Sequence, residues 1–266
     1  MFRRLTPVAK NILIINGVIF MLSSFLKINL AEFFGLRVVF SSEFAPYQFL
    51  TYMWLHGGFG HILGNMIAVL VFAPMLETVW GSKRFLTFYL VCGIGAGIFF
   101  GAADFFEKLP LKQDAEAYLA NPTPESFERF IIKHKNPYFN LNGLGELSDV
   151  YYENANDPGV INQTRRVVQE TFDIFVTRGN MIGASGAVFG ILFAFAFLFP
   201  NTELFLLFPP IPIKAKYLVF FYAMYELYAE FSRTPGDNVA HLAHLGGMAI
   251  AFILLKYWGN NPKRFY

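Results

Sequence analysis

The sequence predicts an all-α, polytopic membrane protein. Six membrane-spanning helices form one domain over residues 1–266, with a long insert at about 104–182 between the third and fourth spans. Three observations carry this reading. Charged residues make up only 15% of the chain and hydrophobic ones 55%, against roughly 25% charged in an ordinary soluble domain. The 33 phenylalanines exceed what a soluble core of this size holds. Apolar stretches also recur at the roughly 20-residue length a helix needs to cross a bilayer.

The first span covers about 11–30 and opens NILIINGVIFMLSSFL. It is too long for a secretory leader and lacks a small-residue cleavage site, so it reads as an anchor. The second covers about 61–80 (HILGNMIAVLVFAPMLETVW) and the third about 85–103 (FLTFYLVCGIGAGIFFGAA). The insert follows, with proline and asparagine clusters and charges of both signs. Within it, NPTPESFE at Asn121–Glu128 supplies a helix start after prolines, and Arg165–Phe175 suits a short amphipathic helix. Asn162-Gln163-Thr164 matches a glycosylation sequon, a match that chance readily gives in a chain this long. The last three spans cover about 184–200, 213–231 and 241–258.

Basic residues in the short connections set the expected orientation. Arg3, Arg4 and Lys10 precede span one, Lys83 and Arg84 separate spans two and three, Lys214 and Lys216 separate four and five, and Lys256, Lys263 and Arg264 end span six. With six crossings all four groups share one side, which makes both termini cytoplasmic and the insert extracytoplasmic. The plasma membrane of a bacterium is the expected location. A net charge of +2 gives no argument for nucleic acid. The single cysteine, Cys92, excludes an intrachain disulfide and reads as a small apolar filler. No Cys/His spacing suggests zinc, and neither a metal nor a cofactor is expected.

The polar residues of the spans are not scattered. His61 and Asn65 begin span two, Ser185 begins span four, and His241 and His244 begin span six. All three starts lie on the outer side. Polar groups inside a membrane are costly and usually face a cavity, a partner or a reaction. In Gly183-Ala184-Ser185-Gly186, a serine at a helix N-terminus sits among free N–H donors suited to an oxyanion. The same tetrapeptide also suits plain close helix packing. In AHLGG at 243–247, His244 can serve a serine as general base or simply hydrogen-bond at an interface. Gly246, Gly247 and Ala251 form a small face, for which span four is the expected partner. His61 and Asn65, four apart, share a helix face. They suit either an oxyanion or the loop carbonyls. His56, in the preceding WLHGGFG loop, is expected to organise that loop.

These motifs, GASG at 183–186, AHLGG at 243–247 and HGGFGHILGN at 56–65, together with ETVWG at 77–81, resemble the rhomboid intramembrane serine proteases. The resemblance covers nearly everything except the insert. It implies a six-helix rhomboid bundle with Ser185 as nucleophile and His244 as its general base. The oxyanion would be held by His61, Asn65 and the Ser185 N–H, with Gly183 shaping that site. Phe189 stands where the family often has a tyrosine against the histidine. AHLGG assigns the base to His244 rather than His241, and the family's Ser–His dyad leaves Asp237 without a role. Two departures stand out: Val79 occupies a position where many members carry arginine, and the insert is long. The implied reaction hydrolyses peptide bonds in or near transmembrane segments of single-span or other membrane proteins. The substrate would enter from the lipid bilayer between spans five and two. The aromatic fifth span (Phe220, Phe221, Tyr222, Tyr225, Tyr228) suits a gate or a plain lipid-facing surface. The alternatives are a catalytically silent rhomboid-like protein that binds membrane clients, which would lack the serine or histidine, and a hydrolase of small esters or lipids. A transporter would carry midplane charges, and Glu77, Glu226 and Glu230 read as close to span ends.

Overall fold

The structure, a computed structural model, describes residues 5–134, 141–177, 180–205, 211–232 and 239–259. Arg3, Arg4, Asp237, Lys263 and Arg264 lie outside these residues. The described chain is mostly helical and divides into two compact units, Met1–Ala103 with Asn180–Tyr266, and Asp104–Gly179.

The first unit opens with α1 (Pro7–Leu26), whose start is held by Glu77: the carboxylate accepts the Val8 and Ala9 N–H groups, each at 3.0 Å, and the Ser82 hydroxyl at 2.6 Å. Free N–H groups and a partial positive charge at a helix start favour such an acceptor. Two short helices, α2 (Leu30–Phe34) and α3 (Gln48–Thr51), follow in a long connection. Buried Arg37 organises it, donating to the Glu32 carbonyl at 2.8 Å and pairing with Glu43 at 2.6 Å. Next come α4 (Phe59–Trp80), α5 (Ser82–Ala120), α9 (Ser185–Leu198), α10 (Ala215–Ser232) and α11 (His241–Gly259). A two-stranded antiparallel hairpin, β1 (Glu203–Phe205) with β2 (Pro212–Lys214), joins α9 to α10.

Among the described residues, α1, α4, α5 and α11 are long and apolar enough to cross a membrane. The other two expected spans differ for identifiable reasons. Helix α9 is apolar but has only 14 residues, about 21 Å at 1.5 Å per residue. Helix α10 has the length but carries Lys216, Glu226 and Glu230. The protein is an integral, multi-pass membrane protein. Its outward faces fit that solvent: on α1, Met21 and Phe25 are exposed, as are Phe220, Phe221, Tyr225 and Tyr228 on α10.

The second unit holds the end of α5 (residues 104–120), α6 (Pro124–Lys133), α7 (Leu141–Glu153) and α8 (Pro158–Thr177). The third expected span thus does not end near 103; its helix runs on to Ala120. Helix α6 starts where the proline signal puts it, with Thr123 and Ser126 forming a reciprocal cap. Its core joins Leu111, Tyr118, Phe127, Phe130, Tyr151 and Val168. Thr164 of the sequon is buried mid-helix, bonded to the Tyr118 hydroxyl at 2.6 Å.

Candidate active site

Helix α9 is apolar on every side, and Gly186, Ala187, Val188, Gly190 and Ile191 are all buried, as expected of a central helix. The chain enters it between two pins. Met181 and Leu36 exchange backbone hydrogen bonds at 2.9 Å, and the Gly183 N–H donates to the Tyr52 carbonyl at 3.0 Å. Between them Gly183 takes φ +132°, a conformation that L side chains rarely adopt, and a Cβ there would stand 2.7 Å from His61 Nε2. Glycine is therefore required twice over. The first bond inside α9 runs from the Val188 N–H to the Ala184 carbonyl at 3.0 Å. The N–H groups of Ser185, Gly186 and Ala187 come before it and have no acceptor within the helix. Ser185 itself is half-buried, so its hydroxyl can be reached.

His61 stands in the first turn of α4. Its Nδ1 accepts a long hydrogen bond, 3.4 Å, from the Gly57 N–H, which leaves Nε2 as the protonated nitrogen of a neutral ring. That Nε2 faces Gly183 from one side while Ser185 Oγ flanks it from another: the Gly183 Cβ position is 2.7 Å from the nitrogen and 3.5 Å from the oxygen. Asn65 is buried one turn on and commits one amide hydrogen to the His61 carbonyl at 3.0 Å. His56 meets the His61 ring edge-on, 5.0 Å between centroids. Burial, and then the neighbouring His61, lower its pKa to about 4, so it is neutral near pH 7.

Small residues bring α11 alongside. A Cβ on Gly247 would lie 1.9 Å from the Gly186 carbonyl oxygen, and one on Gly190 would lie 3.2 Å from the Gly247 oxygen. On its other side α9 meets α5: a Gly186 Cβ would stand 2.5 Å from the Ala96 Cβ, and a Gly190 Cβ 2.9 Å from that of buried Cys92. Ser185 precedes Gly186, and His244 follows Ala243, whose carbonyl is 3.3 Å from the same Gly186 Cβ position. The crossing thus brings the two candidate residues to one place. Phe189, one turn after Ser185, lies flat on His244, with centroids 4.1 Å apart and ring planes 6° from parallel.

At the site, the structure corrects the sequence reading in two places. Gly246 does not face α9. A Cβ on it would meet Phe99 of α5 at 2.8 Å, because successive residues on a helix point about 100° apart and Gly247 already faces α9. Glu226 is not near a span end. It is the twelfth of 18 residues in α10, 4% exposed, and its Oε2 lies 2.5 Å from His241 Nδ1 and 2.8 Å from His244 Nδ1. The first contact is a well-formed hydrogen bond; the second lacks the alignment of one. A signal for Glu226 was present, since a carboxylate inside an apolar helix is itself a functional candidate.

Glu226, His241 and His244 also form the group of possible metal ligands found among the described residues, each offering one atom within 4.8 Å of the others. The carboxylate oxygen lies 2.5 and 2.8 Å from the two ring nitrogens. Two ligands of a tetrahedral zinc ion at 2.0–2.1 Å would stand about 3.3 Å apart.

The Rhomboid domain family model matches residues 43–108 and 165–260. The chain belongs to the rhomboid family. The first matched segment carries His56, His61 and Asn65, and the second carries Gly183, Ser185, Glu226 and His244. Among curated proteins, the chain is similar to Bacillus subtilis YdcA, provisionally named a rhomboid protease, with 42% identity over 18% of this chain and 24% of that protein. It is 37% identical to RHOMBOID-like protein 6, mitochondrial, of Arabidopsis thaliana, over 23% of this chain and 20% of that one. An uncharacterized mitochondrial rhomboid protein of Schizosaccharomyces pombe is 28% identical over 60% of this chain and 36% of its own length. The chain spans well under half the length of the curated relatives it matches.

Proposed function

We propose that this rhomboid is an intramembrane serine protease that hydrolyses peptide bonds in or near transmembrane segments of other membrane proteins. The observation that carries the reading is the convergence at the start of α9. Ser185 sits beside three N–H groups without helical acceptors, next to His61 Nε2, on the helix crossing that holds His244. In the reaction, Ser185 Oγ attacks the scissile carbonyl while His244 takes the hydroxyl proton. The oxyanion is held by His61 Nε2–H, Asn65 and the Ser185 N–H, where preorganised donors are worth most. The C–N bond then breaks as His244 returns the proton to the leaving amine. Water hydrolyses the acyl-enzyme by the same route, restoring Ser185.

Two further features support a membrane substrate. At about 21 Å, α9 is shorter than the roughly 30 Å hydrocarbon layer, so a helix reaching one surface starts at Ser185 below the other. Exposed aromatic rings cover the outer face of α10, suiting lateral contact with lipid and an entering helix. Lys83 and Arg84 lie at the opposite end of α4 from His61, and Lys214 and Lys216 at the opposite end of α9 from Ser185. That asymmetry supports cytoplasmic termini and a site toward the outer face.

The test uses purified protein in liposomes with a tagged single-span substrate. Wild type should release a product that Ser185→Ala and His244→Ala do not. Cleavage that persists in Ser185→Ala would overturn the assignment. The silent client-binding reading is disfavoured by the presence of both Ser185 and His244.

A further inference from the structure

Helix α10 reaches the candidate site through one face. Tyr222 meets Phe189 edge-on at 6.3 Å, Tyr225 meets His241 at 6.3 Å, and Glu226 places one oxygen, Oε2, against Nδ1 of both His241 and His244. Glu226, His241 and His244 are only 4–7% exposed. A carboxylate this deeply enclosed must be matched by donors, and here both candidate donors belong to α11. The resemblance to a Ser–His dyad gives this carboxylate no part.

We propose that Glu226 is a positioning residue for His244, which makes α10 part of the machinery that activates Ser185. The inference rests on the protease reading above. With a small turn of the ring, Glu226 Oε2 would accept the His244 Nδ1 proton and hold the ring in the tautomer whose Nε2 is free to take the serine proton. When His244 becomes an imidazolium, the carboxylate 2.8 Å away stabilises the charge. At rest the oxygen is engaged by His241 at 2.5 Å and His244 is close but misaligned. A small turn of the His244 ring on the flat face of Phe189 completes the second bond without breaking the first, because a carboxylate oxygen has two lone pairs. His241 thus anchors the carboxylate and Phe189 guides the ring. The consequence is a coupling between position and chemistry. Helix α10 carries Glu226, so any displacement of α10 from α11 takes the carboxylate away from the base, and the site is fully assembled only with α10 in place.

The experiment compares wild type, Glu226→Gln and Glu226→Asp in detergent, each first shown to unfold at a temperature close to wild type. Cleavage kinetics should show kcat lowered about ten- to a hundredfold in Glu226→Gln with KM within twofold, and partial recovery in Glu226→Asp. A merely structural role would move stability or KM instead. In parallel, ¹⁵N spectra of histidine-labelled protein should show His244 protonated on Nδ1 in wild type and shifted toward the Nε2 tautomer in Glu226→Gln. Unchanged kcat, or unchanged His244 ring shifts in a folded Glu226→Gln protein, overturns the proposal. If wild type and Ser185→Ala behave alike toward substrate, the protease reading fails by itself, and the ring shifts still decide whether Glu226 holds His244.

Discussion

Gly247→Ala adds one methyl group at the closest approach of α9 and α11. A Cβ built there lies 1.9 Å from the Gly186 carbonyl oxygen, where carbon and oxygen normally approach to about 3.3 Å. The obstacle is backbone, so no side chain can rotate away. The helices must part by roughly 1.4 Å, and overpacking of this kind costs about 1–3 kcal/mol or somewhat more. The chemical effect should be larger than the loss of stability. Gly186 adjoins Ser185, and Ala243 adjoins His244, so the separation is imposed directly on the proposed reacting pair. A misplacement of about 1 Å costs roughly a hundredfold in rate. Gly246→Ala is the control one residue away. Its Cβ would press on the Phe99 Cβ of α5 at 2.8 Å rather than on α9, so the strain falls away from the Ser185–His244 crossing and activity should fall less than in Gly247→Ala. Thermal unfolding in detergent and initial cleavage rates in liposomes read the two effects separately. A folded Gly247→Ala protein that cleaves at the wild-type rate would refute the argument that this crossing holds Ser185 to His244.

Three other outcomes follow from the same geometry. Gly183→Ala should slow labelling of Ser185 by a fluorophosphonate at least tenfold. Two effects cause it: φ +132° is strained for alanine, and the new Cβ would stand 2.7 Å from His61 Nε2. Glu77→Ala removes the acceptor for the Val8 and Ala9 N–H groups and should cost about 2 kcal/mol in unfolding, while leaving kcat of the folded protein near wild type. His56 has a folded pKa of about 4, below its unfolded value near 6.5, so the unfolded chain binds the proton more readily between those values. Its contribution, about 3 kcal/mol at most, is fully present above pH 6.5 and lost as pH falls toward 4. His56→Phe should flatten the fall in stability over that window, and an unchanged pH profile would show that His56 is not the group responsible.

The helical, membrane-embedded class was legible because lipid imposes length and composition on each crossing, and α4, α5 and α11 carry that signature without ambiguity. The candidate residues were legible for a related reason. A histidine, an asparagine and a serine at the starts of apolar helices are expensive, and they fell at one end of the expected topology. Short-range chemistry could also be read locally, as Thr123 and Ser126 capping α6 show. Contacts between helices were another matter. Which way each of two adjacent glycines points depends on the rotation of α11 against its neighbours, so Gly246 and Gly247 looked alike in sequence although one faces Phe99 and the other faces Gly186. The continuation of α5 to Ala120 is invisible to hydropathy, since its polar half is held by the core of the second unit rather than by lipid. Glu226 is the clearest instance. Sequence alone offered a carboxylate in an aromatic helix; only the packing of α10 against α11 determined that its oxygen meets two histidines, one of them the candidate base, because that meeting depends on distances between helices that the chain does not encode locally.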